Sequence, residues 1–126
     1  MIHVSDLKKT YNGTTVLQIE NLDIPQGQSF GLVGNNGAGK TTFFSLLLDL
    51  IRPTTGRITT NNIQINISEE WKKFTSSFID ETFLIGYLTP EEYFYFIGEL
   101  RGWNKADVDA FLKNYEDFFN GEILNN

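Results

Sequence analysis

Apolar and polar positions alternate over the first two dozen residues. Ile2, Val4 and Leu7 point one way along an extended segment, and Tyr11-Asn12-Gly13 follows as a hairpin turn. Asn-Gly is the strongest short signal for such a turn. Residues 14–19 return as a strand, and Asn21-Leu22-Asp23-Ile24 is a further short extended piece, closed by Pro25-Gln26-Gly27. Residues 2–24 thus predict antiparallel strands. Residues 28–33, Gln-Ser-Phe-Gly-Leu-Val, predict a buried strand. The period then changes. Residues 42–51 predict a helix in which positions 44, 47, 48 and 51 form one apolar stripe and 43, 46 and 50 cover much of the rest. A helix apolar on most sides is a buried one.

Arg52-Pro53 stops that helix, and Thr54-Thr55-Gly56 is a turn. Residues 57–60 and 63–67 predict a second hairpin across Asn61-Asn62. Ser68 reads as an N-cap, with Glu69 and Glu70 in the first turn of a short helix reaching Phe74. Residues 75–79 predict a strand and 80–88 a loop. Thr89-Pro90-Glu91-Glu92 is a strong helix start: Thr89 caps, Pro90 takes the first position and Glu92 completes a capping box. That helix runs to Arg101 and ends at Gly102. Asn104 caps a last helix with Val108, Phe111, Leu112, Tyr115, Phe118 and Phe119 on one stripe, closed by Gly121. Trp71, Trp103 and the Phe-rich helices read as core, because large aromatics dominate core area. The change of pattern over residues 80–88 predicts a boundary, with residues 1–80 as one region and 81–126 as a second.

One stretch carries chemistry. Gly34-Asn35-Asn36-Gly37-Ala38-Gly39-Lys40-Thr41-Thr42 fits G-x-x-x-x-G-K-S/T, the phosphate-binding loop, and it sits between the predicted strand and the predicted buried helix as that loop requires. Gly34, Gly37 and Gly39 let the backbone bend so that amide N–H groups converge on phosphate oxygens. The helix adds the positive end of its dipole. The candidate phosphate-binding residues are therefore Asn35, Asn36, Gly37, Ala38, Gly39, Lys40, Thr41 and Thr42. Lys40 brings a full positive charge to the outer phosphates and is the catalytic candidate. The Thr41 hydroxyl is the expected protein ligand to a magnesium ion that keeps several waters.

Composition narrows the function classes. The chain has 126 residues, a formal net charge of −6 with the charges mixed along it, eleven Phe and no cysteine. The acidic balance argues against a sequence-independent nucleic-acid surface and against an anionic-lipid surface. Without cysteine there is no disulfide, thiolate metal site or thiol chemistry, which fits the cytoplasm. The first residues lack the long apolar core of a signal peptide, and the longest apolar runs are far short of a membrane span. Any link to a membrane must go through a partner.

Three stretches together resemble a known family. Gly34 to Thr42, Arg52-Pro53-Thr54-Thr55-Gly56-Arg57-Ile58, and Leu88-Thr89-Pro90-Glu91-Glu92-Tyr93 are similar to the Walker A loop, the turn and strand after it, and the start of the helical subdomain in the ATPase domain of ATP-binding-cassette (ABC) transporters. The likeness covers nearly the whole chain. It implies an α/β fold, the P-loop ATPase core of the ABC type: an antiparallel β layer, a P-loop strand with its helix, and the start of a helical subdomain. It implies ATP and Mg2+ as ligands, a membrane-spanning permease as partner and a second ATPase domain in a dimer. The location implied is cytoplasmic, peripheral on the inner membrane face through that partner, with no nucleic acid involved.

The resemblance also assigns two further positions. Tyr11 stands where the family stacks an aromatic on adenine, a contact worth about 1–3 kcal/mol per base. Glu81, or alternatively Asp80, stands where the family places a Gln that touches the metal; a carboxylate can bind magnesium through water. Phe83-Leu84-Ile85-Gly86-Tyr87 lies where the family forms part of a groove for short helices of the membrane subunit.

The family's apolar strand ending in Asp-Glu, its Leu-Ser-Gly-Gly-Gln-type signature and its later switch His have no counterpart here; His3 reads as a strand residue. These gaps imply a truncated piece of a longer chain. Such a fragment is expected to bind nucleotide weakly, to hydrolyse it negligibly and, with bare strand edges, to be marginally stable or to self-associate. The functional expectation is the ATP-binding portion of an ABC transporter that couples ATP binding and hydrolysis to transport. A soluble ABC-type ATPase acting on ribosome or DNA, or a nucleotide-binding regulator that never hydrolyses, remains the alternative.

Overall fold

The computed structural model describes every residue except Glu81, Phe83 and 120–126. The chain falls into two units, Met1–Ile79 and Asp80–Asn126.

The first unit is built on a four-stranded antiparallel sheet. Strands β1 (Ile2–Tyr11) and β2 (Thr14–Ile24) pair around Asn12 and Gly13, whose φ values are +48° and +79°. Left-handed conformation at both central residues is the type I′ geometry, whose twist matches that of the strands it joins. Strands β3 (Thr55–Thr60) and β4 (Ile63–Gln64) pair in the same way around Asn61 and Asn62, at φ +48° and +64°. The strand order is β2-β1-β3-β4.

Two bulges break the alternation. Against β3, the register of β1 shifts between Ser5 and Lys8, with Asp6 at φ +48°. One extra residue there brings Val4 and Leu7, three apart, to the same face, and both are fully buried. Against β1, Lys9 pairs with Leu17 but Thr10 pairs with Thr15, so Val16 is the extra residue of β2. One apolar core gathers Val4, Leu7 and Ile58 from the sheet, Phe43 and Leu46 from helix α1 (Lys40–Leu47), and Ile65 and Trp71. Full burial of a side chain of this size is worth about 1.5–3 kcal/mol. The indole N–H of Trp71 donates to the Ile65 carbonyl at 3.1 Å, so the largest core residue buries no unpaired donor.

Several sequence expectations are corrected. Residues 28–33 and 75–79 are not strands. A strand exists only through its neighbours, and among the described residues neither segment joins the sheet, so Val33 is 95% exposed. The piece at residues 21–24 is not separate but continues β2. Helix α1 begins at Lys40 and stops at Leu47, short of Ile51, because Asp49 turns to φ +55°. The second hairpin is shorter than 63–67. Ser68 does not cap in the ordinary sense: its hydroxyl accepts from the Glu70 N–H at 3.2 Å, and a 3-10 turn follows at Glu70–Phe74.

In the second unit, α2 (Pro90–Leu100) and α3 (Lys105–Lys113) both start from reciprocal caps. Thr89 Oγ1 accepts from the Glu92 N–H at 3.2 Å while Glu92 Oε2 accepts from the Thr89 N–H at 2.8 Å. Asn104 and Asp107 repeat the arrangement at 2.8 and 3.0 Å. The helices cross at Gly98, which is buried; a Cβ built there would lie 2.3 Å from Val108 Cγ2. Val108 and Leu112 are the buried residues of α3. The predicted single last helix is two, α3 and a short α4 (Glu116–Phe119), broken at Asn114 and Tyr115. Trp103 is not core as Trp71 is: it is 44% exposed, edge-on to Phe111 with 5.5 Å between ring centres. Gly121 lies outside the described residues. No described helix is long and apolar enough to cross a membrane.

Candidate functional site

The loop before α1 is shaped by its glycines. The Ala38 N–H donates to the Asn35 carbonyl at 3.0 Å, closing a tight turn, and Gly37 then takes φ +82°. Gly39 takes φ +94° and caps α1, with its carbonyl accepting from the Phe43 N–H at 2.9 Å. A helix capped by glycine has no side-chain acceptor for its first N–H groups, and α1 has neither a capping side chain nor an acidic residue in its first turn. Its orphan donors and the positive end of its dipole therefore stay available to an anion.

Gly39 also lies hard against the sheet. A Cβ on it would meet the Val16 carbonyl oxygen at 2.7 Å and Leu17 Cδ1 at 3.2 Å. Val16 is the bulged residue of β2, so the carbonyl that braces the loop belongs to a residue the register shift leaves without a partner on β1. Only a residue without a side chain fits between them.

Lys40 folds back over the loop. Its Nζ donates to the Gly34 carbonyl and, at 3.3 Å, to the Asn35 carbonyl. The ammonium is thus held against the carbonyls of the same turn, and Lys40 is half-buried. Asn35, Asn36, Gly37, Ala38 and Thr41 are exposed, while Gly39 and Thr42 are half-buried. The Thr41 hydroxyl is a hard oxygen donor of the kind magnesium takes. Among the described residues no group of three or more His, Asp or Glu gathers into a metal site. A single hydroxyl fits an ion whose other ligands come from phosphate and water.

Tyr11 stands at the tip of the first hairpin, 49% exposed. It pairs with Thr14, two residues along β2 from Val16, so hairpin tip and loop meet the same short piece of strand. Lys9 Nζ lies 4.8 Å from the centre of the Tyr11 ring. Glu81 lies outside the described residues. Asp80 opens the second unit, where its Oδ1 accepts from the Thr82 N–H at 2.8 Å and from the Thr82 hydroxyl. Phe83 is likewise outside the described residues, while Tyr87 is 87% exposed.

Sequence reasoning did not find the Val16 bulge or the contact of Lys9 with Tyr11. The first had a signal: Val16-Leu17 puts two apolar residues side by side in an alternating strand. The second follows from β geometry, which sets residues two apart on one face.

The sequence profile described as "ABC transporter" matches residues 17–124. The chain is 38% identical over 116 residues to the bacitracin transport ATP-binding protein BcrA of Enterococcus faecalis, covering 90% of this chain and 37% of that protein. It superposes on a solved ATP-binding subunit of an ABC transporter with a TM-score of 0.79 at 28% identity, over 96% of this chain and 51% of that one. It superposes also on MJ0796, a bacterial ABC transporter cassette solved as a dimer, with a TM-score of 0.68 at 26% identity, over 80% of this chain and 48% of that one. The chain thus spans about a third of the length of that curated relative and about half of each solved chain.

Proposed function

Because the chain belongs to the ABC transporter family, we propose that it is the nucleotide-binding portion of an ATPase that drives transport across a membrane. The observation that carries this reading is the loop itself. A glycine-capped helix start with no competing side chain, an ammonium folded over its mouth and a neighbouring threonine hydroxyl are complementary to a magnesium polyphosphate.

The roles follow from charge and geometry. The amides of residues 35–42 take phosphate oxygens, and Thr41 offers its hydroxyl to the metal. Lys40 exchanges its two carbonyl partners for the outer phosphates, where a cation counters the charge that builds as the terminal phosphoryl group departs. Magnesium, when bound, supplies further neutralisation of the phosphates. Tyr11 presents a π-face to the adenine. The permease contacts this domain through the apolar segment that contains Leu84 and Tyr87, and a second ATPase domain completes the dimer on the cytoplasmic face. Coupling of ATP binding and hydrolysis to transport is the activity of the whole protein.

Calorimetric titration of MgATP into the protein and into Lys40→Ala tests the loop assignment. Binding should disappear in the variant while its thermal transition stays within a few degrees of the parent's, since a half-buried lysine at a loop mouth holds no core together. Undiminished binding would overturn the assignment.

A further inference from the structure

The hairpin tip carries a second device beside Tyr11. Lys9 and Tyr11 are two apart on β1 and share a face. The Lys9 ammonium stands 4.8 Å from the Tyr11 ring centre, within the range of a cation–π contact. The same Nζ donates to the Arg52 carbonyl at 2.6 Å. Arg52 belongs to the segment after α1, and that segment is itself tied to β1: the Thr10 N–H donates to Thr54 Oγ1 at 2.9 Å and the Thr54 N–H to the Lys8 carbonyl at 2.8 Å. The ammonium is therefore pinned by a charge-assisted bond to a fixed carbonyl, where an unanchored lysine would swing with the solvent.

A half-exposed tyrosine at a hairpin tip has two faces and free rotamers. A cation anchored on one face removes much of that freedom and covers that side. We propose that Lys9 is a positioning residue for base recognition: braced against Arg52, it fixes the Tyr11 ring and directs a purine to the opposite face. The proposal rests on the reading of Tyr11 as the residue that meets the adenine. Pre-ordering the ring lowers the entropy lost when the base stacks, so the gain falls on the base end of the nucleotide and leaves the phosphate end unchanged.

The test compares two ligands on the intact protein, MgATP and magnesium-bound inorganic tripolyphosphate, which shares the phosphates but has no base. Titrations are run for the parent, Lys9→Ala, Lys9→Arg, Tyr11→Ala and the Lys9→Ala/Tyr11→Ala double variant. Lys9→Ala should weaken MgATP about two- to fivefold, the scale of an exposed cation–π contact, and leave tripolyphosphate unchanged. Lys9→Arg keeps the cation and the donor and should hold the parent's ratio of the two affinities. Tyr11→Ala should lower that ratio by about five- to a hundredfold, the scale of base stacking, and Lys9→Ala added to it should change nothing more. The ratio of two affinities on one preparation does not depend on how much of it is folded.

Equal losses for both ligands in Lys9→Ala would overturn the proposal, for the lysine would then be acting on the phosphates. A ratio lowered by Tyr11→Ala but untouched by Lys9→Ala would overturn it while leaving the platform in place. A ratio untouched by Tyr11→Ala would remove the platform, and the proposal with it.

Discussion

The contact between Gly39 and the Val16 carbonyl can be measured by adding one methyl group. Gly39→Ala forces an L-residue to φ +94° and sets a Cβ 2.7 Å from a backbone oxygen. The left-handed conformation costs about 1–2 kcal/mol for a non-glycine residue. The oxygen is backbone within a paired strand and cannot rotate aside, so the overlap adds about 1–3 kcal/mol, as overpacking does elsewhere. Gly37→Ala separates the two effects. Its φ is +82°, but a Cβ there meets nothing within 4 Å, so only the conformational cost applies. Both substitutions stiffen the unfolded chain alike, and that contribution cancels in the comparison. Urea unfolding followed by the fluorescence of Trp71, which lies in the same core as α1, reads the unit that contains the loop. Gly39→Ala should be less stable than the parent by about 2–5 kcal/mol and Gly37→Ala by about 1–2 kcal/mol. MgATP affinity should fall further in the former, because the only relief is to lift the loop off β2. Equal losses in the two variants would refute the claim that the bulge carbonyl braces the loop.

Other outcomes follow from the second unit. Gly98→Ala gains about 1 kcal/mol of helix propensity but drives a Cβ into Val108 Cγ2; against an overpacking cost of about 1–3 kcal/mol the net loss is expected to reach about 2 kcal/mol, and combining it with Val108→Ala should destabilise less than the sum of the single changes. The hydroxyl of Tyr95 lies between the carboxylates of Asp109 and, at 2.8 Å, Glu91, and its proton, shared between these two acceptors, is held by hydrogen bonds to them and by their negative charge, so the phenol titrates well above its ordinary value. A group whose folded-state value is raised stabilises the fold below its unfolded value, about pH 10, and loses that contribution as the pH climbs beyond it. Unfolding measured from pH 8 to 11 should therefore show a steeper alkaline decline in the parent than in Tyr95→Phe, and parallel curves would remove the role given to those bonds. The proposed permease contact is tested in the full-length protein: Tyr87→Ser should reduce substrate transport while MgATP affinity holds, and intact transport would take Tyr87 out of that proposed contact.

What the sequence made legible was what is local. The resemblance to ABC ATPases rested on contiguous stretches, and it is the family the chain belongs to. Asn12-Gly13 declared its turn because left-handed backbone is written in those two residue types, and Thr89 and Asn104 declared their helix starts because a capping box closes within four residues. What failed depends on partners. Residues 28–33 have a strand's composition, but a ladder needs a neighbour, and apolar content alone cannot name one. The stripe from Val108 to Phe119 keeps its period straight through the break at Asn114, because periodicity records faces and not continuity. The loop of Gly34 to Thr42 could be seen as one string. Its seat on Val16 and the anchoring of Lys9 are relations between residues far apart in the chain, and no pattern within a short window contains them.

The bulge at Val16 makes the first hairpin a measuring stick. Thr14 fixes the tip where Tyr11 sits, and Val16 fixes the rest point of the glycine bend, so the separation of the two ends is set by the rigid pleat of a single strand. On the proposed reading, a nucleotide that reaches from one to the other meets two ends held by one strand. Inserting one residue between Thr14 and Val16 would lengthen that separation and, because side chains alternate along a strand, turn the tip to the other face.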